Sequence, residues 1–551
     1  MTPTVTARAA TLVTVILRLA TGVQPAMLNI GGWVVGALIA FAIFKIELMS
    51  PVSAGDEGLL LTYPWLMTRG VMPYHGFWAS YPPMIYILLA TLFKVTGPSL
   101  LIERAVDMAA RLLVVLVVNR ALTRSWVRVS WIGLPVTFAL IMNPTLMPNP
   151  WIVGLPFLLL GLLAARAHPL IAVPLLVMAG TFRFEFGLVG TAALCEMATL
   201  PRHESGLPSQ RCLLGSAIAV GATLCAFYLA VNALTGGDAL QDIFLDPILV
   251  VAPGRRLPII PPWIVAPYLP VEVVTVVGPL VMIAIALRSG QTYAAATILA
   301  STILLLQFFQ RADATHLMEV AAVIIPWLLI TLVRLPLDAS GYRPRRAMAP
   351  RTAKAPRTNS RALAACAIVG LPIVTNCGTG YGAVQYVLAH SVHHGSPGLP
   401  RLASSAVVQV GRRAIVAGST REAQDALEVA RYLQKHGSAR QNVFIDTVHL
   451  RHSMYNDTVL YYLLGMRPAT RYLEMEPGLE TQQRVQKEII ARLRDCPWII
   501  LWKGGFWFEP NASQVAGSPL LERFILGHYT LKLQNTTYKL YYRPVRTAEN
   551  A

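Results

Sequence analysis

Apolar runs recur along most of this chain, and they restrict its fold more than any other feature. They lie at about 27–48, 100–121, 129–142, 151–165, 169–182, 186–199, 212–234, 270–287, 291–309, 314–333 and 362–386. A bilayer core about 30 Å thick takes about 20 apolar residues per helix, and a helix satisfies its own backbone there. The chain is 55% hydrophobic and only 13% charged, with a mean hydropathy of +0.53, which excludes an ordinary soluble domain of 551 residues. The expected fold is a polytopic α-helical membrane protein of about 11 transmembrane helices. Residues 84–95 are apolar but too short to cross, and read as an interfacial or re-entrant helix. Residues 1–26, mildly apolar with Arg8 and Arg18, read as an interfacial segment on the cytoplasmic side.

The formal net charge of +18 would suggest nucleic acid in a soluble protein. Here much of it falls in short loops, where it sets orientation and meets anionic lipid headgroups, so the expected contacts are membrane lipids and no nucleic acid. With the N-terminus inside, the basic loops 120–128, 166–168, 200–211, 288–290 and 334–361 are all inside. Loops 51–83, 143–150, the turn near Arg183, 236–269 and 310–313 are then all outside. The odd count puts the C-terminal region outside as well. The expected divisions are a segment 1–26, a membrane core 27–335 with an outer loop 49–83, a basic linker 336–361, a last span 362–389 and an outer domain 390–551. No signal-peptide pattern precedes the first run. Five of the six cysteines lie in or beside apolar runs, which is neither a disulfide framework nor a metal cluster.

Residues 390–551 alternate strand and helix signals. RRAIVAG (412–418), NVFIDTV (442–448) and WIILW (498–502) read as strands, with two more near 530–535 and 538–543. Helical patterns run over 421–436, 479–493 and 519–526. This predicts a three-layer α/β domain with a partly parallel sheet. GSTREAQ lacks the glycine spacing of a dinucleotide loop, so no nucleotide is expected.

The chemistry must come from ionisable residues at outer span ends, since the chain has no Walker, HExxH, CxxC or GxSxG motif. Asp56 and Glu57 stand just past the first run, an expensive place for charge. Either Asp56 caps a short helix, or the pair forms a catalytic site. His75, Tyr81, Arg183, Glu185, Arg311, Asp313 and His316 lie at the same side of the expected topology. A carboxylate can deprotonate an attacking hydroxyl, and arginines can hold a departing phosphate. Arg104, Asp107 and Arg111 share one helix face, as a buried ion-pair seam or as a polar cavity lining. Tyr461, Tyr462, Trp502 and Trp507 could supply acceptor platforms in the outer domain.

Segments GDEGLLL (55–61) and MPYHGFWASYPPMIYILLATLFKVTG (72–97) resemble the first outer loop of the GT-C membrane glycosyltransferases. The nearest group is the bacterial one related to protein mannosyltransferases and lipid A aminoarabinose transferases. FRFEFG (182–187), QRADATH (310–316), the stretch 456–478 and FEPNAS (508–513) resemble motifs of a subset of these enzymes. The resemblance implies an inverting transferase that moves a sugar from a polyprenyl-phosphate donor to a glycan, lipid or protein acceptor. It places that reaction on the outer face of a bacterial inner membrane. It puts Asp56 at the family's acidic position, as general base with Glu57 as orienter, and gives Tyr81 the place before the double proline. The family often has a lysine there, and Ser80-Tyr81 replaces it. The donor phosphate then falls to Arg183 and Arg311. No cofactor is required, and a divalent cation is left open. A transporter and a non-enzymatic envelope-assembly protein are the competing classes. Inverted repeats would mark the first, and none is evident.

Overall fold

The computed structural model describes residues 50–125, 149–201, 207–258, 269–334, 405–437, 441–452, 455–476, 478–504 and 511–544, with scattered positions in 30–48 and 137–141 and a short strand pair at 392–394 and 400–402. The expected segment 1–26, linker 336–361 and last span 362–389 lie outside the described residues, as do most of the first and third spans and Trp507.

The helical part begins with α1 (Asp56–Thr68), α2 (Met84–Thr96) and α3 (Leu100–Ser125). It continues through α4 (Pro150–Ala165), α5 (Pro169–Phe182), α6 (Phe184–Thr199) and α7 (Gln210–Leu234). Two π-helical turns, Gln241–Leu245 and Pro247–Val251, lead to a single turn Ala252–Arg255. Then follow α8 (Leu269–Arg288), α9 (Thr292–Ser301), which tightens through a 3-10 turn into Leu305–Gln310, and α10 (Ala314–Arg334). Prolines start α4 and α5 at their first turns, where the missing N–H costs nothing. Asn149 caps α4 by accepting from the Ile152 N–H at 3.2 Å.

Among the described residues, four helices are long and apolar enough to cross a membrane, at 210–234, 271–288, 292–310 and 314–331. The apolar runs at 151–165 and 169–182 form helices of 16 and 14 residues, only about 21–24 Å long at 1.5 Å per residue. Eleven full spans are therefore not reached among the described residues. The 84–95 run is a 13-residue helix, α2, short as expected.

The charged face of α3 is an ion-pair seam, not a cavity lining. Arg111 Nε bonds Asp107 Oδ2 at 2.5 Å, and its Nη1 donates to the Ile141 carbonyl at 2.6 Å. Arg104 reaches across to Glu57 at 2.5 Å.

The C-terminal part is the expected α/β unit. A hairpin, β1 (Ala406–Val410) with β2 (Arg413–Ala417), stands apart from the main sheet. Helix α11 (Thr420–His436) leads to β3 (Asn442–Thr447) and α12 (Val459–Leu464). Then come α13 (Gln483–Leu493), β4 (Trp498–Trp502), α14 (Leu520–His528), β5 (Thr530–Gln534) and β6 (Tyr538–Tyr542). The five-stranded sheet runs Arg467–Pro468, β3, β4, β6, β5, parallel across the first three and antiparallel beyond. Alternation sends side chains to opposite faces. Val443, Ile445, Trp498, Ile500 and Leu540 join α11 in one core, while Phe444, Ile499 and Leu501 pack on α13 and α14 in another. The first of these cores is continuous with the core of the helix bundle.

That continuity is reinforced by backbone contacts. The Val52 N–H donates to the Val416 carbonyl at 2.8 Å, and the Thr458 hydroxyl donates to the Ala54 carbonyl at 2.6 Å. Gly58 is what lets α1 lie this close: a Cβ there would stand 2.8 Å from the Val459 backbone nitrogen. Trp78, from the outer loop, is fully buried in the second core of the α/β unit. Its backbone N–H donates to the Arg471 carbonyl and its indole N–H to Asp246.

Candidate active site at the junction of bundle and α/β unit

Between the bundle and the α/β unit lies a cavity of about 250 Å³. Several chain segments end at its wall. α1 starts there at Asp56, α4 at Pro150, α6 at Phe184 and α10 just after Asp313, and all four residues line it. Each helix start carries the positive end of its dipole, which favours an anion.

The structure brings Asp56, Tyr81, Arg183, Glu185, Arg311, Asp313 and His316 to this one cavity. Asp56 is the first residue of α1 and makes no capping bond, so it is not a helix cap. Burial raises its pKa above the ordinary carboxylate value, and Glu476 adds to this, while Arg255, Arg311 and His316 pull the other way. Arg183 bonds Glu185 at 3.0 Å and lies over the rings of Tyr81 and Trp151, 5.2 and 5.5 Å from their centroids. Its Nε is buried without a hydrogen-bond partner among the described residues. Arg311 bonds Asp313 at 2.6 Å, and the other Asp313 oxygen meets His316 Nδ1 at 2.8 Å and accepts from the His316 N–H. Burial alone would raise Asp313, but His316 and Arg311 outweigh it and hold it well below the usual carboxylate range. Ser80 and Tyr81, which stand where the resembled family often has lysine, line the cavity, with the Arg183 guanidinium over the Tyr81 ring.

Four sequence-based expectations come out differently. Glu57, one residue from Asp56, points about 100° away on the helix; it is buried against Arg104 and accepts from the Ser53 N–H at 2.9 Å. It does not line the cavity. His75 is exposed and stands beside Gly236, because the loop turns it outward while burying Trp78. Tyr461 is fully buried, its hydroxyl accepting from the Ile445 N–H at 2.9 Å, so it is core and not a platform. Trp502 ends β4 opposite Tyr538 and does not line the cavity.

Further residues reach the cavity. Arg255 arrives on the turn after the π-helical segment. It bonds Glu476 at 2.9 Å and the Tyr455 hydroxyl at 2.8 Å, both from the α/β unit. Burial pushes the Tyr455 hydroxyl up to about 12, so it stays protonated while accepting from Arg255. Tyr455 holds a left-handed backbone, φ 51°, a strained conformation of the kind that clusters at functional sites. Asn149, Gln307 and Glu319 complete the wall. Glu319 had a signal in the sequence, as a carboxylate inside an apolar run; Tyr455 had none. Among the described residues no group of three or more His, Cys, Asp or Glu is placed to hold a metal ion.

With its helical bundle, its α/β unit and the arginine- and carboxylate-lined cavity at their junction, the chain shares its fold with a solved protein. It is similar to ArnT from Cupriavidus metallidurans, whose crystal structure holds undecaprenyl phosphate. Identity is 13% and the TM-score 0.53, with 93% of this chain and 98% of that one covered. A second solved structure, the Archaeoglobus fulgidus oligosaccharyltransferase with zinc and sulfate, is 12% identical and covers 92% of this chain and 73% of its own, but its TM-score of 0.35 carries no argument. No family model and no curated protein sequence matches the chain.

Proposed function

We propose that the chain is an inverting glycosyltransferase that takes a sugar from a polyprenyl-phosphate donor and passes it to a cell-envelope acceptor, a glycan, lipid or protein, on the outer face of a bacterial inner membrane. The observation that carries this reading is the cavity itself: a half-buried carboxylate, Asp56, shares its wall with three arginines where four helices begin. The ArnT structure with undecaprenyl phosphate supports a lipid phosphate as ligand. The α/β unit lies on the cavity side of the bundle, which is the outer side in this reading.

In this reaction Asp56 takes the proton of the acceptor hydroxyl as its oxygen attacks the anomeric carbon. The bond from that carbon to the phosphate oxygen breaks, and the polyprenyl phosphate leaves with the electron pair. A single displacement inverts the anomeric centre. Arg183 and Arg311 hold the phosphate, assisted by Arg255 and by the helix N-termini, and stabilise the charge that develops on it. Burial raises the Asp56 pKa, which makes it a stronger base, while Arg255, Arg311 and His316 favour its ionised form. No step is assigned to a metal.

The test uses Asp56→Asn, which keeps the shape and removes the basicity. Membranes holding the full-length protein are assayed for release of polyprenyl phosphate from a panel of polyprenyl-phosphate sugars. Turnover should fall by about 10²–10⁴-fold. A variant retaining half of the wild-type rate at saturating donor and acceptor would remove Asp56 from the role.

A further inference from the structure

We infer that Gln307 and Glu319 form a carbohydrate subsite in the cavity that reads hydrogen-bond donors of the transferred sugar; the inference rests on the transferase reading above.

Glu319 lies in the second turn of α10 and is 5% exposed. A carboxylate inside a membrane-crossing helix is costly unless the charge serves a purpose. Two amides hold it. Asn149 Nδ2 donates to Oε1 at 2.5 Å and Gln307 Nε2 donates to Oε2 at 2.9 Å. Both amides turn their nitrogens toward it, as an accepting carboxylate requires. The amide oxygens then point away. That of Asn149 has a use, accepting from the Ile152 N–H as the cap of α4. That of Gln307 is buried with no hydrogen-bond partner among the described residues, and the residue lines the cavity.

A buried acceptor left unmade costs about 1–3 kcal/mol, so this oxygen favours any ligand that brings a donor to it. The Glu319 oxygens, each with one amide, keep lone pairs for the same ligand. The wall therefore offers two kinds of partner. Arg183, Arg255 and Arg311 offer only donors and suit phosphate oxygens. Gln307 and Glu319 offer acceptors and repel them, but suit the hydroxyl or ammonium hydrogens of a sugar. One phosphorylated sugar satisfies both halves, and a bare lipid phosphate satisfies one. Gln307 and Glu319 are thus specificity residues, reading the group that is transferred and not the leaving group.

Full-length protein in nanodiscs is titrated with undecaprenyl phosphate and with its mannosyl, arabinofuranosyl and hexuronosyl derivatives. The wild type should bind at least one sugar-bearing lipid about tenfold or more tightly than the bare lipid, and Gln307→Met and Glu319→Gln should each reduce that preference by about tenfold. If the preference survives both substitutions, the subsite does not exist. Equal weakening of bare and sugar-bearing lipids would mean that Glu319 only ties α4, α10 and the 305–310 helix together. A wild type that binds bare lipid as tightly as every sugar lipid also overturns the inference, while one that binds none of the four overturns the transferase reading instead. Gln307→Met keeps the Asn149–Glu319 bond, so the test stands even where Glu319→Gln fails to fold.

Discussion

Replacing Glu57 by alanine separates the two members of the acidic pair, because the structure gives them unrelated jobs. Glu57 and Arg104 form a two-point pair, Nε to Oε1 at 2.5 Å and Nη2 to Oε2 at 3.1 Å, with side chains 8% and 4% exposed. Glu57 also accepts from the Ser53 N–H. Removing one partner of a buried pair costs about 3–5 kcal/mol, because the other charge stays buried. Arg104 keeps its bond to the Ser50 carbonyl at 3.1 Å, which favours the lower half of that range, about 3–4 kcal/mol. The folded-to-unfolded ratio should drop by about 10²–10³. Unfolding of full-length protein in mixed micelles, followed by tryptophan fluorescence, measures this. Asp56→Asn is the internal comparison: Asp56 makes no cap bond and burial disfavours its charge, so stability should be unchanged or raised. The double variant Glu57→Leu with Arg104→Met removes both charges and should recover most of the loss. If Glu57→Ala unfolds within about 0.5 kcal/mol of wild type, or the double variant is no better than the single one, the pair is not what holds this loop.

The pH dependence of transfer should report Asp56. Its pKa is raised by burial, and only the ionised form is a base, so kcat/KM should fall on acidification through an inflection above the ordinary carboxylate value; an inflection at or below it would contradict the assignment. Gly58→Ala should weaken the seating of α1 against α12, since the new Cβ meets the Thr458 hydroxyl and, at 2.8 Å, the Val459 backbone nitrogen, which cannot rotate away; limited proteolysis should release the 405–544 region faster than in wild type, and an unchanged cleavage rate would refute the close contact. Topology is testable with single cysteines in a cysteine-free background. Lys435→Cys, on the exposed face of α11, should react with impermeant maleimide in intact spheroplasts, while Ser289→Cys, in the turn between α8 and α9, should react only after lysis; the reverse pattern would invert the proposed orientation.

The apolar runs by themselves determined that this is a helical membrane protein, because bilayer burial acts on composition and length, which are local quantities. The strand and helix order of the α/β unit was equally legible, since the short runs of β-branched and aromatic residues at 442–447 and 498–502 and the helical spacing in 420–436 are properties of consecutive residues. The outer-end residues Asp56, Arg183, Glu185, Arg311, Asp313 and His316 could be gathered from sequence because each sits at the end of an apolar run, and run ends alternate between the two faces. What the sequence could not decide was direction. Asp56 and Glu57 are adjacent acids, and the packing of α1 against α3 sends one to the cavity and the other to Arg104. Nor could it show which distant segments meet. Arg255 is held by Glu476, 221 residues away, and Asn149 by Glu319, 170 residues away. Tyr461, Tyr462 and Tyr455 are near neighbours in the chain, yet the first is core, the second bonds the Pro98 carbonyl and the third reaches the cavity. Those outcomes depend on how the α/β unit seats on the bundle. The seating is decided by long-range contacts such as Gly58 against Val459 and Trp78 in the second core, which leave no periodic trace in the residues that make them.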